Sequence, residues 1–92
     1  MEMTTDNYRI SMHDIITSCL AEAEIDSICA TEAIDKRTRA YHMDRLCFTH
    51  YTLNHIIREH VNPIYAPAVY SESKAAARQI RKLIEDCMRE EY

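Results

Sequence analysis

The stretch ESKAAARQIRKLIEDCMRE, residues 72–90, carries the clearest structural pattern in the sequence. Its apolar residues recur every three or four positions, the spacing that places side chains on one face of an α-helix. They are Ala76, Ile80, Leu83, Ile84, Cys87 and Met88. Opposite charges four residues apart lie on the other face, and each such pair stabilises a helix by about 0.2–0.5 kcal/mol. With Ser71 or Ser73 as its N-cap, this segment predicts a helix over 72–90.

Two segments near the N-terminus show the same helical period. Ser11 is a suitable N-cap for a helix over 11–24, whose apolar residues form one continuous stripe. Asp26 or Ser27 could cap a second helix over 26–46, in which the apolar pattern is weaker. The middle of this second segment is polar and rich in arginine, so we expect the helix either to be continuous or to break near Thr38.

Thr49 is the next potential N-cap, and it precedes another apolar stripe over 49–61. Pro63 disfavours helical backbone at the residue before it, so this helix is expected to stop by Asn62. Together with 72–90, the pattern predicts about four helices.

The 92 residues include no glycine, although about six would be expected at the average frequency of ~7%. Tight β-hairpin turns rely on glycine for positive φ, so a β-sheet domain of this length is disfavoured. We predict an all-α fold, with residues 1–92 forming a single domain built as a small compact bundle of helices. Residues 1–9 are polar and show no periodicity, and we expect them to be frayed.

Acidic residues are concentrated in the first third of a chain whose net charge is −4. General nucleic-acid binding depends on neutralising phosphates, so an acidic chain is poorly suited to it. An acidic surface could instead address a basic groove on a partner protein, for example one that handles nucleic acid. The predicted acidic partner-binding residues are Asp14, Glu22, Glu24, Asp26 and Glu32.

The connector NPIYAPAVY, residues 62–70, is unusually apolar for a loop. If exposed, it would form the kind of apolar and aromatic patch that marks an interface. Alternatively, its side chains fold back as a lid over the end of the bundle. The predicted partner-binding residues in this connector are Ile64, Tyr65, Val69 and Tyr70.

A basic patch lies between the acidic segment and the connector. It could face an acidic partner or a nucleic-acid backbone, but a solvated face that balances the acidic first third is the favoured interpretation. The patch consists of Lys36, Arg37, Arg39 and Arg45.

The segment over 49–58 is faintly similar to the recognition helix of a helix-turn-helix protein, whose polar side chains face base edges. This similarity carries an alternative hypothesis, a dimeric DNA-binding regulator. Against it, no glycine-containing turn of the usual kind precedes the segment. The DNA-reading residues would be Thr49, Thr52, Asn54, His55 and Arg58.

No motif for catalysis, a cofactor or a metal stands out in the sequence. Phosphate-binding loops require glycine. Three histidines, His50, His55 and His60, are spaced by five residues, which puts neighbours about 140° apart around a helix. Cys47 with His50 is the only local pairing of a nucleophile and a base, and a helix start at Thr49 would separate them. We therefore expect no enzyme, no cofactor and no metal site.

The N-terminal residues lack the apolar core of a secretory signal, and no apolar run reaches the ~18 residues of a membrane span. These features indicate a cytoplasmic protein whose four cysteines stay reduced.

Together these observations favour a non-enzymatic protein-interaction module. One form would be a small acidic inhibitor or adaptor, of the sort carried by phages and other mobile elements, that blocks a surface of a larger protein or complex. The apolar stripes could also support a homodimer, through helix 72–90 or the connector. An enzyme built on Cys47 and His50 is the weakest of the three hypotheses.

Overall fold

The computed structural model describes the backbone of residues 5–89 and the side chains of residues 11–89. This part of the chain forms three helices, α1 (Thr5–Glu32), α2 (Lys36–His60) and α3 (Pro67–Arg89), and no strand. Each helix packs against the other two. The all-α bundle predicted from the sequence is confirmed, but it is built from three long helices and not about four.

Successive helices run antiparallel, so the C-terminal ends of α1 and α3 lie beside the N-terminal end of α2. At that end, the guanidinium of Arg39 donates to the backbone oxygens of Ala30 (3.1 Å) and Cys87 (2.6 Å). At the opposite end, His13 Nδ1 lies 3.0 Å from Glu72 Oε1 and joins α1 to α3.

Several of the predicted helix boundaries are wrong. The segment 11–24 lies inside α1, which extends beyond it at both ends, and the segment 49–61 is the second half of α2. The N-caps proposed at Ser11, Asp26 and Thr49 therefore lie inside helices. No glycine or proline precedes Pro63, so no residue of that kind forces either helix to end early.

Of the two alternatives for 26–46, the chain adopts the broken one, but the break lies at residues 33–35 and Thr38 is in the first turn of α2. Asp35 adopts an extended conformation (φ −112°, ψ 157°) and caps α2. Its carboxylate accepts hydrogen bonds from the backbone N–H (2.7 Å) and the hydroxyl (2.9 Å) of Thr38. These bonds favour the charged form and hold the pKa of Asp35 below its ordinary value.

Residues 61–66 connect α2 to α3 in an ordered turn. The Val61 N–H closes the end of α2 by donating to the Ile57 backbone oxygen at 3.0 Å. The helix α3 then begins at Pro67, five residues before the predicted start at 72. Proline is well suited to the first helical position because it needs no hydrogen-bond donor there and its φ is already helical.

The core runs along the centre of the bundle. Leu46 and Leu53 of α2 and Ile80 of α3 are completely buried. Small residues, including Ala23, Ala30, Ala76 and Ala77, are buried as well and allow the helices to approach closely. The other buried hydrophobic residues are Met12, Ile16, Ile57, Val61, Val69 and Cys87.

The N-terminal prediction falls partly outside the described residues, since residues 1–4 are not among them; the backbone of residues 5–9 belongs to α1. Across the residues that are described, the three helices include none with the length and apolar character to cross a membrane. The four cysteines, Cys19, Cys29, Cys47 and Cys87, are free thiols.

Candidate interaction surfaces

The tip loop, residues 62–66, projects two large apolar side chains from one end of the bundle. The side chains of Ile64 and Tyr65 are 81% and 86% exposed. Asn62 holds the backbone beneath them: its side-chain oxygen accepts from the Ile64 N–H and its backbone oxygen accepts from the Ala66 N–H, both at 2.8 Å. Pro63 restrains φ within the loop. The loop is thus an ordered turn that exposes an apolar pair.

Only half of the predicted connector site is on the surface. Val69 is buried in the core, and Tyr70 is half-buried against it. Both residues belong to the first turn of α3, where they face the other helices. The lid interpretation therefore applies to Val69 and Tyr70, and the exposed-patch interpretation to Ile64 and Tyr65.

Four of the five predicted acidic residues are exposed on α1, and the fifth, Asp26, is not. Asp26 is buried, and its Oδ1 binds His42 Nδ1 at 2.9 Å and Arg45 Nε at 3.3 Å. Its carboxylate is used within the bundle to join α1 to α2, so Asp26 is not part of the exposed acidic surface. The remaining members are exposed on α1: Asp14, Glu22, Glu24 and Glu32.

The predicted basic patch is also smaller than expected. Arg39 is occupied with the ends of α1 and α3, and Arg45 binds Asp26 while its Nη1 donates to the Tyr41 hydroxyl at 3.4 Å. Lys36 and Arg37 remain exposed beside the C-terminal ends of two helices, where positive charge is electrostatically favourable. This placement agrees with the solvated interpretation of the patch.

The residues proposed to read DNA do not share a face. They lie in the interior of α2, and the turn that precedes this helix, at residues 33–35, is separated from Thr49 by 13 helical residues (36–48), whereas a recognition helix reads bases from its N-terminal end. Thr49 is buried, while the Asn54 side chain donates to the His50 backbone oxygen at 2.9 Å. His55 and Arg58 are exposed, and Thr52 is half-buried. The five residues therefore do not form one continuous exposed surface.

An aromatic surface that the sequence analysis missed lies on the side of α2 away from the core. We call Tyr41, Phe48, Tyr51 and His55 the outer stripe. Tyr41, Phe48 and Tyr51 are 56%, 68% and 67% exposed, and Phe48 is the only phenylalanine in the chain. The rings of Tyr51 and His55 are stacked, with their centroids 6.3 Å apart. The seven-residue spacing of positions 41, 48 and 55 is the signal that could have revealed it.

A basic groove between α2 and α3 was also missed. It has a volume of about 460 Å³, and its lining includes Lys74, Arg78 and Arg81 from α3 and His50 and Asn54 from α2. Partial burial, followed by the positive charges of Arg81 and Lys74, lowers the pKa of His50. Arg81 is paired with Glu85 at 3.2 Å.

The pairing of Cys47 and His50 lies within continuous α2, so no helix start separates these residues. Partial burial and the nearby Asp44 raise the pKa of the Cys47 thiol. A nucleophilic cysteine needs the opposite shift, because the thiolate is the reactive form. Over the described part of the chain, no group of three His, Cys, Asp or Glu side chains is arranged to hold a metal ion.

The predicted dimer surface on helix 72–90 is largely used within the bundle. Ala76, Ile80 and Cys87 are buried, and Leu83 and Ile84 are half-buried against the core, although Met88 is exposed. Among the described residues, exposed large apolar side chains thus lie in the tip loop, in the outer stripe and around the C-terminal end of α1, at Ile25, Ile28 and Ile34.

Comparison of the chain with protein-family models, curated proteins and solved structures gives no match in any of the three.

Proposed function

We propose that this protein is a non-enzymatic interaction module that inserts its tip loop into an apolar pocket on a larger protein. The observation that carries this proposal is the exposure of Ile64 and Tyr65 on a turn held by Asn62. Exposure of two large apolar side chains to water does not stabilise the protein. In a partner's pocket, each would remove a large apolar area from solvent at about 25 cal/mol per Å².

Preorganisation distinguishes this loop from an ordinary exposed apolar residue. Binding normally costs about 0.5–1.5 kcal/mol for each side chain that becomes ordered, and more for a loop that must fold. The Asn62 hydrogen bonds and Pro63 have already ordered the backbone of the tip loop. Tyrosine is also among the residues that contribute most at protein interfaces.

The exposed acids of α1 supply the electrostatic part of the proposal. Asp14, Glu22, Glu24 and Glu32 would speed association with a partner whose pocket borders a basic groove, as in a nucleic-acid-handling protein. Occupying such a groove would make the module an inhibitor or adaptor.

The test is affinity capture from the organism that encodes the chain, followed by binding measurements on the purified partner. Ile64→Ser/Tyr65→Ser should weaken binding about 30-fold or more, the loss typical of interface hot spots. Ile28→Ser/Ile34→Ser is the matched control, since it removes two exposed apolar side chains near the opposite end of the bundle. That control should bind like the unmodified protein.

Equal binding by the tip-loop variant and the control would refute the docking role of the loop. Salt-dependent DNA binding that Arg58→Ala abolishes would favour the alternative regulator instead.

A further inference from the structure

The outer stripe lies on the side of α2 away from the core, where Tyr41 and Phe48 also border a groove that Glu22 of α1 helps to line. The buried residues of α2 are Leu46, Thr49, Leu53 and Ile57. At about 100° per residue, Phe48 and His55 project from the reverse side of the helix. Tyr41, Phe48 and His55 place a ring at every seventh position of this exposed side, and residues at that spacing stay on one side of a helix that pairs with another helix.

We propose that α2 pairs antiparallel with α2 of a second copy of this chain, with the two-fold axis passing beside Phe48. In such an arrangement, residues equally distant from Phe48 in the sequence lie opposite each other. The two Phe48 rings would meet at the centre, which would remove the chain's only phenylalanine from water.

The charges and rings of α2 are arranged to match this symmetry. Arg37 and Glu59 are each eleven residues from Phe48, so each arginine would face a glutamate at both ends of the contact. Both side chains are exposed, and neither has an ion-pair partner among the described residues. The pairing would therefore use charges that the single bundle leaves available.

The inner positions are complementary as well. Tyr41 and His55 are each seven residues from Phe48, so their rings would face one another. No two charges of like sign would lie directly opposite.

Other arrangements of two α2 helices are less favourable. A parallel pair would set each charge against itself, Arg37 on Arg37 and Glu59 on Glu59. A shift of one heptad in one direction would oppose Asp44 to Glu59. A shift in the other direction would place His55 beyond the start of the second α2 and lose both Arg37–Glu59 pairs.

The contact is long enough for a stable dimer. From Arg37 to Glu59 the helix extends about 33 Å at ~1.5 Å per residue. The six rings of Tyr41, Phe48 and Tyr51 could bury at most about 600–900 Å² in all, given their exposure and the 150–250 Å² that such residues can bury. This is about half of the 1,200–2,000 Å² in a typical specific interface, and the charged and polar neighbours of the rings would add the rest.

A charge-exchange experiment read by sedimentation equilibrium tests the pairing. The unmodified chain should show twice the protomer mass of 10.8 kDa. Arg37→Glu alone should weaken the dimer about tenfold, because it sets two carboxylates together at both ends of the contact. The double variant Arg37→Glu/Glu59→Arg should restore the dimer, whereas Lys36→Glu, the same charge change on a neighbouring side of the helix, should leave it intact.

A second measurement checks the register. In a chain with Cys47→Ser, oxidation of Phe48→Cys should give a covalent dimer, while Tyr51→Cys should not. A monomeric unmodified chain, a dimer insensitive to Arg37→Glu, or failure of the double variant to restore association would each overturn the proposal. A dimer formed through α3 or the tip loop would be insensitive to Arg37→Glu.

The substitutions at Arg37, Phe48 and Glu59 are not expected to unfold the protein, because these side chains are exposed. Circular dichroism of each variant checks that it is folded.

Discussion

At the scale of single residues, Asn54 determines how His50 is protonated. The Asn54 amide nitrogen lies 2.9 Å from the His50 backbone oxygen and 3.1 Å from its Nε2. A carbonyl oxygen can only accept, so Asn54 must present its NH₂ group at this position. The Nε2 atom then accepts the second hydrogen, which requires the neutral imidazole. This geometry acts in the same direction as burial, Arg81 and Lys74, which lower the pKa of His50.

We predict a stability that declines in mild acid because of His50. Its folded-state pKa lies below the unfolded value of about 6.5, so the unfolded chain takes up this proton first as pH falls. The contribution of His50 is therefore complete above pH ~6.5 and is lost as pH falls through the folded-state pKa. Urea unfolding at pH 7.5 and 5.5 should show a smaller pH effect in His50→Gln than in the unmodified chain.

His55→Gln is the control for this experiment, because His55 is exposed on the same helix. An unchanged pH effect in His50→Gln would contradict the prediction.

At the scale of helices, Arg39 of α2 joins this helix to the C-terminal ends of α1 and α3. Its guanidinium donates to Ala30 O near the end of α1 and to Cys87 O near the end of α3. The last carbonyl groups of a helix have no partner within that helix. Positive charge is also favourable there, because the helix dipole is negative at this end. One side chain of α2 thus completes the C-terminal ends of both neighbours.

Arg39→Ala should lower the free energy of unfolding by about 2 kcal/mol, because two partly buried acceptors lose a charged donor. Arg39→Lys should recover only part of this loss, since an ammonium group cannot reproduce the forked geometry. Denaturant unfolding measures both variants, with Lys36→Ala as an exposed control expected to change stability by less than about 0.5 kcal/mol. If Arg39→Ala lowered the free energy of unfolding by less than about 0.5 kcal/mol, the hydrogen bonds from Arg39 to Ala30 and Cys87 would contribute little to stability.

At the scale of the whole molecule, the three helices share one small core. Leu53 of α2 is completely buried, as is Ile80 of α3. A domain of this size is stable by about 5–10 kcal/mol, so each core side chain accounts for a substantial fraction of the total.

Leu53→Ala should cost about 3 kcal/mol, from lost burial and from the cavity left behind. Far-UV circular dichroism during urea unfolding should show one transition, shifted to lower urea, because no helix has a core of its own. The fully exposed Ile34 provides the control Ile34→Ala, with little effect expected. Two separate transitions would mean that part of the bundle folds independently.

The predictions from sequence succeeded where the determining interaction is local. The apolar face of 72–90 was identified because Ala76, Ile80 and Cys87 follow the helical period, and all three are buried in α3. Pro63 marked the end of α2 to within two residues. By contrast, Asp26 looks like a helix cap or a surface acid, and nothing near it in the sequence indicates that His42 and Arg45 surround its carboxylate.

By itself, the sequence determined the helical class and the apolar faces, because helical period and the absence of glycine act through neighbouring residues along the chain. The tertiary structure alone decided the number of helices, the burial of Asp26 and Val69, and the exposure of Phe48. Each of these features depends on which residues, distant in the sequence, are brought into contact by the packing of the helices. A polar residue is tolerated in the interior when a neighbouring helix satisfies it, and an apolar residue on the outer side of α2 is left in water because α1 and α3 pack against the other side.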